Sequence, residues 1–401
     1  MHTPNTSFNH VNYLWNEEKA AQLEGNEVDL FLYRSNLLGA DLRITNYGGG
    51  NTSCKTKELD PLTKTWVEVM WIKGSGGDIG TMTRSGLAGL YVDKLNSLKG
   101  IYRGLEHEDE MVGLFGHCLY DLASKAPSID TPLHGFLPFK HIDHLHPDAA
   151  IAIAAAKDGE EITKTLWKGT IAWVPWQRPG FDLGLKLREA LDKNPGIRGI
   201  MLGGHGLFTW GDTSYDCYLN SLEVIETASA YLAENYGKKR PVFGGQKINS
   251  LNPDQRKSQA AKLAPLLRGL ASSESRMVGT FTDKEVVLEF SNSQDLDRLA
   301  PMGTSCPDHF LRTKISPLVL DLPAATDLSD ANEIRAQLES AFQNYREHYA
   351  AYYEKHKHAN SPAMRYPNPV IILWPGVGMF SFAKDKQTSR VAAEFYINAI
   401  Q

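Results

Sequence analysis

Residues 197–210 read Ile197-Arg198-Gly199-Ile200-Met201-Leu202-Gly203-Gly204-His205-Gly206-Leu207-Phe208-Thr209-Trp210. Two short apolar runs flank a glycine-rich corner, the pattern of two strands joined by a tight turn. A helical pattern follows from near Thr213 to Tyr236, so strand and helix alternate here, and a mixed α/β architecture is expected. The same alternation holds on either side. Thr65 to Ile72 (TWVEVMWI) reads as a strand that runs into Lys73-Gly74-Ser75-Gly76-Gly77. Pro147-Asp148 opens an alanine-rich helix that ends near Gly159, with Pro at the favoured first position. Met111, Leu114, Phe115, Cys118, Leu119 and Leu122 recur at helical spacing and predict one amphipathic helix.

The opening stretch has an echo. Gly204 to Trp210 (GHGLFTW) resembles Gly376 to Phe382 (GVGMFSF), and each follows an apolar run and precedes a helical pattern. Upstream, His146-Pro147-Asp148 aligns with Cys306-Pro307-Asp308. On that alignment the chain holds a second, degenerate copy of one fold. Thr304, Cys306 and Val377 then replace His144, His146 and His205, and the copy is metal-free. Chance similarity of two glycine-flanked hairpins is the competing reading. The polar stretch Lys238 to Ser258, punctuated by Pro and Gly, reads as an interdomain linker. The expected domains are therefore 1–240 and 260–401.

With 401 residues, 42% hydrophobic and 22% charged, the chain has ample material for a sizeable core. A formal net charge of -5 provides no general attraction to nucleic acid or anionic membrane. No apolar run approaches the length of a membrane span. Met1 to His10 lacks the apolar core of a signal peptide. Cys54, Cys118, Cys217 and Cys306 are sparse and unpaired in sequence, which fits reduced thiols and a cytoplasmic location.

His144-Leu145-His146 carries the sharpest chemical signal. Side chains at i and i+2 of a strand share a face, so the two imidazoles converge. Alone, the pair reads rather as two surface or core histidines. His205, in a corner where glycines permit close approach, supplies a third ligand and the three-histidine set of an open zinc site. Gly48-Gly49-Gly50-Asn51-Thr52-Ser53 can turn backbone N–H groups inward as an anion nest, and the Ser75-Gly76 turn repeats that chemistry. Each alone also reads as an ordinary turn, and neither is a P-loop. In Pro127-Ser128-Ile129-Asp130-Thr131-Pro132-Leu133-His134, Asp130 offers a carboxylate beside the metal; by chemistry alone it reads rather as the cap of a short helix.

In this order the segments resemble the class II aldolase/adducin family, over about residues 30 to 235. Gly50-Asn51-Thr52-Ser53 matches the family's G-N-x-S phosphate loop, and Ser75-Gly76 its second phosphate segment. Pro127-Ser128-Ile129-Asp130 is similar to the segment that supplies the catalytic carboxylate, with Asp130 for Glu and Ile129 for a hydroxyl residue. His144, His146 and His205 match the metal ligands. The whole chain looks most like the aldolase portion of bifunctional rhamnulose-1-phosphate aldolase/short-chain dehydrogenase proteins, above all in 127–148, 203–210 and 307–380.

The resemblance implies a three-layer fold with a central, mainly antiparallel sheet. It also implies a zinc-dependent lyase that cleaves rhamnulose 1-phosphate to dihydroxyacetone phosphate and L-lactaldehyde. Zinc would sit on the three histidines, phosphate on Gly50, Asn51, Ser53, Ser75, Gly76 and Ser128, and Asp130 would move the proton. The expected partners are a small sugar phosphate, further copies of the chain, and a fused or separate short-chain dehydrogenase domain, because no G-x-G-x-x-G follows a strand here. A fuculose-phosphate aldolase, a pentulose-phosphate 4-epimerase and an adducin-like binding module are the competing readings.

Overall fold

A computed structural model describes residues 8–401 except 46, 238–240, 330 and 360. Residues 1–7, on which the signal-peptide reading rests in part, lie outside it. The chain divides into two compact units, Met1–Gly237 and Lys238–Gln401.

The first unit runs α1 (Glu17–Ala21), α2 (Glu27–Gly39), β1 (Asn51–Leu59), β2 (Trp66–Lys73), β3 (Leu87–Tyr91), α3 (Val92–Ser97), α4 (Glu108–Leu114) and α5 (Thr131–Gly135). It continues with β4 (His141–Leu145), α6 (Asp148–Ala154), α7 (Gly159–Trp167), β5 (Ile171–Val174), α8 (Phe181–Lys193), β6 (Gly199–Leu202), β7 (Gly206–Gly211) and α9 (Ser214–Tyr236). Its seven strands form one sheet in the order β3-β2-β1-β4-β7-β6-β5. Every neighbouring pair is antiparallel except β5 and β6.

Strand alternation sends residues to two faces, each needing a cover. Ile142, Ile200, Phe208 and Trp210 pack with Leu133 of α5 and Leu183 and Leu187 of α8. Leu145, Met201 and Leu207 pack on the other side with Leu38, Ile153, Leu222 and Ile225 of α2, α6 and α9. The result is the expected three-layer α/β arrangement.

Two helix expectations change. The helix read over 111–122 stops at Leu114, and Phe115–Cys118 is a tighter 3-10 turn. Gly113 and Gly116 weaken a helix there although the apolar spacing persists. Pro147 stands at the cap of α6 rather than inside it, and α6 ends at Ala154.

The second unit comprises α10 (Pro253–Ala271), β8 (Val278–Thr282), α11 (Glu285–Ser291), α12 (Leu296–Leu299), α13 (Pro307–Thr313), β9 (Leu318–Val319), α14 (Ala331–His356), β10 (Ile371–Trp374), β11 (Gly378–Ala383) and α15 (Lys386–Ile400). Its sheet has the order β8-β11-β10-β9, with only β9 and β10 parallel. That is the order and sense of β4-β7-β6-β5. The turns agree as well: Gly204 and Gly376 have φ of +63° and +81°. The N–H groups of His205 and Val377 donate to Leu202 and Trp374 carbonyls, each at 3.0 Å. The second unit thus repeats the later half of the first sheet.

Register corrects the alignment of the copies. Phe208 of β7 lies opposite His144, and its counterpart Phe380 lies opposite Phe281. The positions equivalent to His144, His146 and His205 are therefore Phe281, Asp283 and Val377. Thr304 and Cys306 instead precede α13, with Cys306 at its cap and Pro307 in its first turn. A proline followed by an acid marks many helix starts, which is why that match misled.

The stretch read as a linker is largely structure of the second unit, its residues 238–240 lying outside the described ones. Gln246 bridges Ser293, the Leu251 N–H donates to Gly376 at 3.0 Å, and Asn252 and Gln255 form a capping box on α10. Among the described residues no helix is long and apolar enough to cross a membrane.

Candidate metal centre

β4 lies between β1 and β7 and is buried along its whole length, although it carries His141, Asp143 and His144. Polar side chains survive at such a position only with partners. On one face, Arg34 of α2 binds Asp143 at 3.1 Å and the Ser53 carbonyl at 3.0 Å, and shares a 2.8 Å contact with His141 Nδ1. Ser221 donates to the other Asp143 oxygen at 2.8 Å. Arg34 and Asp143 are both fully buried, so this pair fixes the strand from behind.

His144 faces the opposite way, with Asn51 across from it on β1 and Phe208 on β7. Its Nδ1 meets the Leu207 carbonyl at 3.1 Å, so that nitrogen carries the proton and Nε2 offers the lone pair. Burial, then the neighbouring His146 and His205, push its pKa well below the usual imidazole value. The ring is therefore neutral, the form a metal needs. Phe208 stacks on it at 4.2 Å.

His146 follows on the same face, and His205 comes from the β6–β7 turn. Their Nε2 atoms lie 3.1 and 3.2 Å from His144 Nε2. The ligand atoms of all three residues fall within 4.8 Å of one another, and no other such cluster of three occurs among the described residues. Two nitrogens bound to one tetrahedral zinc at about 2.0–2.1 Å sit roughly 3.3 Å apart, close to these spacings. Two glycines permit the approach. A Cβ on Gly206 would lie 2.6 Å from the His146 ring, and one on Gly50 would lie 2.6 Å from the His144 carbonyl oxygen. The donor set thus fits a divalent cation with an open coordination position.

Two links join other candidate residues to one another. Asn51 Nδ2 donates to Asp130 Oδ2 at 2.5 Å. The Ser75 N–H donates to the Ala126 carbonyl at 3.0 Å, setting the exposed Ser75-Gly76 turn beside 127–130. Asp130 does occupy the cap position of α5, but its side chain makes no cap hydrogen bond. It turns to Asn51 and to Ser128 Oγ, at 3.5 Å. Ser53, two residues on from Asn51 in β1, is fully buried, with Oγ 2.8 Å from His134 Nδ1 rather than open to a phosphate.

Two further carboxylates, Asp143 and Glu108, are committed elsewhere. Asp143 is on the far face, and Glu108 accepts from the Asp182 N–H at 3.2 Å and Tyr102 at 3.1 Å. Sequence reasoning passed over His134 and Arg34. Their signals were available: His134 lies four residues after Asp130, one helical turn on, and Arg34 interrupts an apolar run in α2.

Two family profiles match the chain. The one described as class II aldolase and adducin N-terminal domain covers residues 32–232, and the one described as aldolase class II, second domain, covers 258–401. An uncharacterized oxidoreductase, YuxG, of Bacillus subtilis (strain 168) is 38% identical over 390 residues, 97% of this chain. The chain spans only 55% of that relative's length. Among solved structures, the N-terminal class II aldolase domain of a conserved protein from Thermoplasma acidophilum is 28% identical. It covers 57% of this chain and 100% of its own, with a TM-score of 0.48. L-fuculose-1-phosphate aldolase from Thermus thermophilus is 17% identical, covering 54% of this chain and 96% of its own, with a TM-score of 0.35.

Proposed function

The chain belongs to the class II aldolase and adducin family, and from that premise we propose that it is a zinc-dependent aldolase acting on rhamnulose 1-phosphate. The observation that carries this reading is the convergence of His144, His146 and His205, with the His144 proton fixed on Nδ1. Bound zinc supplies Lewis acidity toward the carbonyl and neighbouring hydroxyl of the ketose. The Gly50-Asn51 loop, the Ser75-Gly76 turn and Ser128 hold the phosphate, so its binding energy orients the carbon–carbon bond to be broken. Ser53, hydrogen-bonded to His134, is not among these contacts. Asp130 removes the proton whose loss opens the bond and returns one to the carbon of the departing dihydroxyacetone phosphate. L-Lactaldehyde is the other product.

Rhamnulose 1-phosphate is chosen because the chain resembles the aldolase portion of proteins that also carry a short-chain dehydrogenase. The Bacillus relative is both named an oxidoreductase and much longer than this chain, which supports the same arrangement. A dehydrogenase, fused or separate, is then the partner that takes the aldehyde.

Zinc-loaded protein should be offered rhamnulose 1-phosphate, fuculose 1-phosphate and a pentulose 5-phosphate. Release of dihydroxyacetone phosphate, fastest from the first, is the expected result. Epimerisation of the pentulose phosphate, or no turnover of any of the three, would overturn the assignment.

A further inference from the structure

α5 is only five residues long, yet it bears the proposed acid/base carboxylate at its start. Two side-chain rungs tie it to β1. Asn51 Nδ2 donates to Asp130 Oδ2 at 2.5 Å, and two residues along the strand Ser53 Oγ meets His134 Nδ1 at 2.8 Å. Two strand residues advance about 6.6 Å and four helical residues about 6 Å, so the two rungs are commensurate. One slip of the helix breaks both.

The lower rung is the anchored one. Ser53 and His134 are fully buried, whereas Asp130 is partly exposed. The His134 ring also packs 5.4 Å from Phe208, which stacks 4.2 Å from His144. A helix this short has little stability of its own. Its place must come from such contacts.

We propose that His134 is a positioning residue: through Ser53 it sets α5 in register on β1 and so places Asp130 against the histidine-bearing face. This rests on the assignment of Asp130 as the proton-moving group. The contacts of the His134 ring through which it acts are Ser53 and Phe208, both other side chains.

The test uses the zinc-loaded full chain. Ser53→Ala and His134→Phe each remove the rung, and His134→Asn keeps an amide where Nδ1 stood. The first two should lower kcat by roughly tenfold with little change in KM, as expected for a misplaced catalytic group. Zinc content should stay at the wild-type level, and His134→Asn should recover most of the loss. In an Asp130→Asn background, Ser53→Ala should cost nothing further, because the two act as one unit. Imidazole nitrogen NMR of the metal-free protein should show the His134 Nδ1 resonance shifted in Ser53→Ala.

Wild-type kcat in both Ser53→Ala and His134→Phe, with Asp130→Asn impaired, overturns the inference and leaves the assigned function standing. A raised KM at unchanged kcat in Ser53→Ala would make Ser53 a phosphate contact and also overturn it. Full activity in Asp130→Asn removes the premise, and the inference falls with it.

Discussion

His144 donates Nδ1–H to a backbone carbonyl, so only its Nε2 lone pair is left to offer, and Leu207 holds it in that state. His134, His141 and His144 are all buried, and burial lowers the pKa of each, for His141 to about 2. Their folded-state pKa values lie below the unfolded value of about 6.5, so the stabilisation is complete above that pH and fades as pH falls. The metal-free protein should lose up to about 1.4 kcal/mol per pH unit for each such histidine below pH ~6.5. Urea midpoints measured at descending pH test this, and a flat profile through that window would show the rings are not held neutral. Asp130 is the second residue on which the account turns. Asp130→Asn keeps its size and its hydrogen bonding but removes the base. Cleavage should drop by roughly 10²-fold or more. Zinc content should hardly change; its loss in that variant would make Asp130 a ligand.

β4 shows how an element can be legible in part. His144 in the strand and His146 just past its end, at i and i+2, announce a shared face through spacing alone. What the sequence does not announce is that Asp143, just before them, is fixed on the far side by an arginine from α2. Local patterns report periodicity and caps, and a buried charge pair between distant segments leaves neither. Arg34→Met should therefore destabilise the protein by about 3–5 kcal/mol, since it leaves Asp143 buried without its counter-charge. Adding Asp143→Leu should recover part of that loss in urea unfolding, and a single variant as stable as wild type would refute the clamp. The β6–β7 corner and α9 were legible for local reasons: glycines break two apolar runs, and Thr213 accepts from the Asp216 N–H at the helix start. The helix read over 111–122 was not, because apolar spacing alone carries no record of where a helix tightens. Asp130 was half legible. It has the cap position that its neighbours suggest, but its carboxylate serves a strand.

Across the whole chain, one strand order is used twice with opposite outcomes. The first copy places three imidazoles on one face. In the second, Val377 is fully buried, Phe281 packs 5.0 Å from Phe380, and Asp283 is bound by Arg256 at 3.0 Å. An apolar filling at two ligand positions and a committed carboxylate at the third leave no donor set there. The repeat was visible in sequence through the glycine corner, whose backbone geometry both copies need. The matching of ligand positions was not, because it depends on which strand lies beside the hairpin. The central claim is that one metal is held by His144, His146 and His205, and elemental analysis of the purified chain tests it most directly. Wild-type protein should carry about one zinc per chain and His205→Ala very little, as loss of one of three protein ligands requires. Full zinc retention in His205→Ala, or two equivalents in the wild type, would contradict the account.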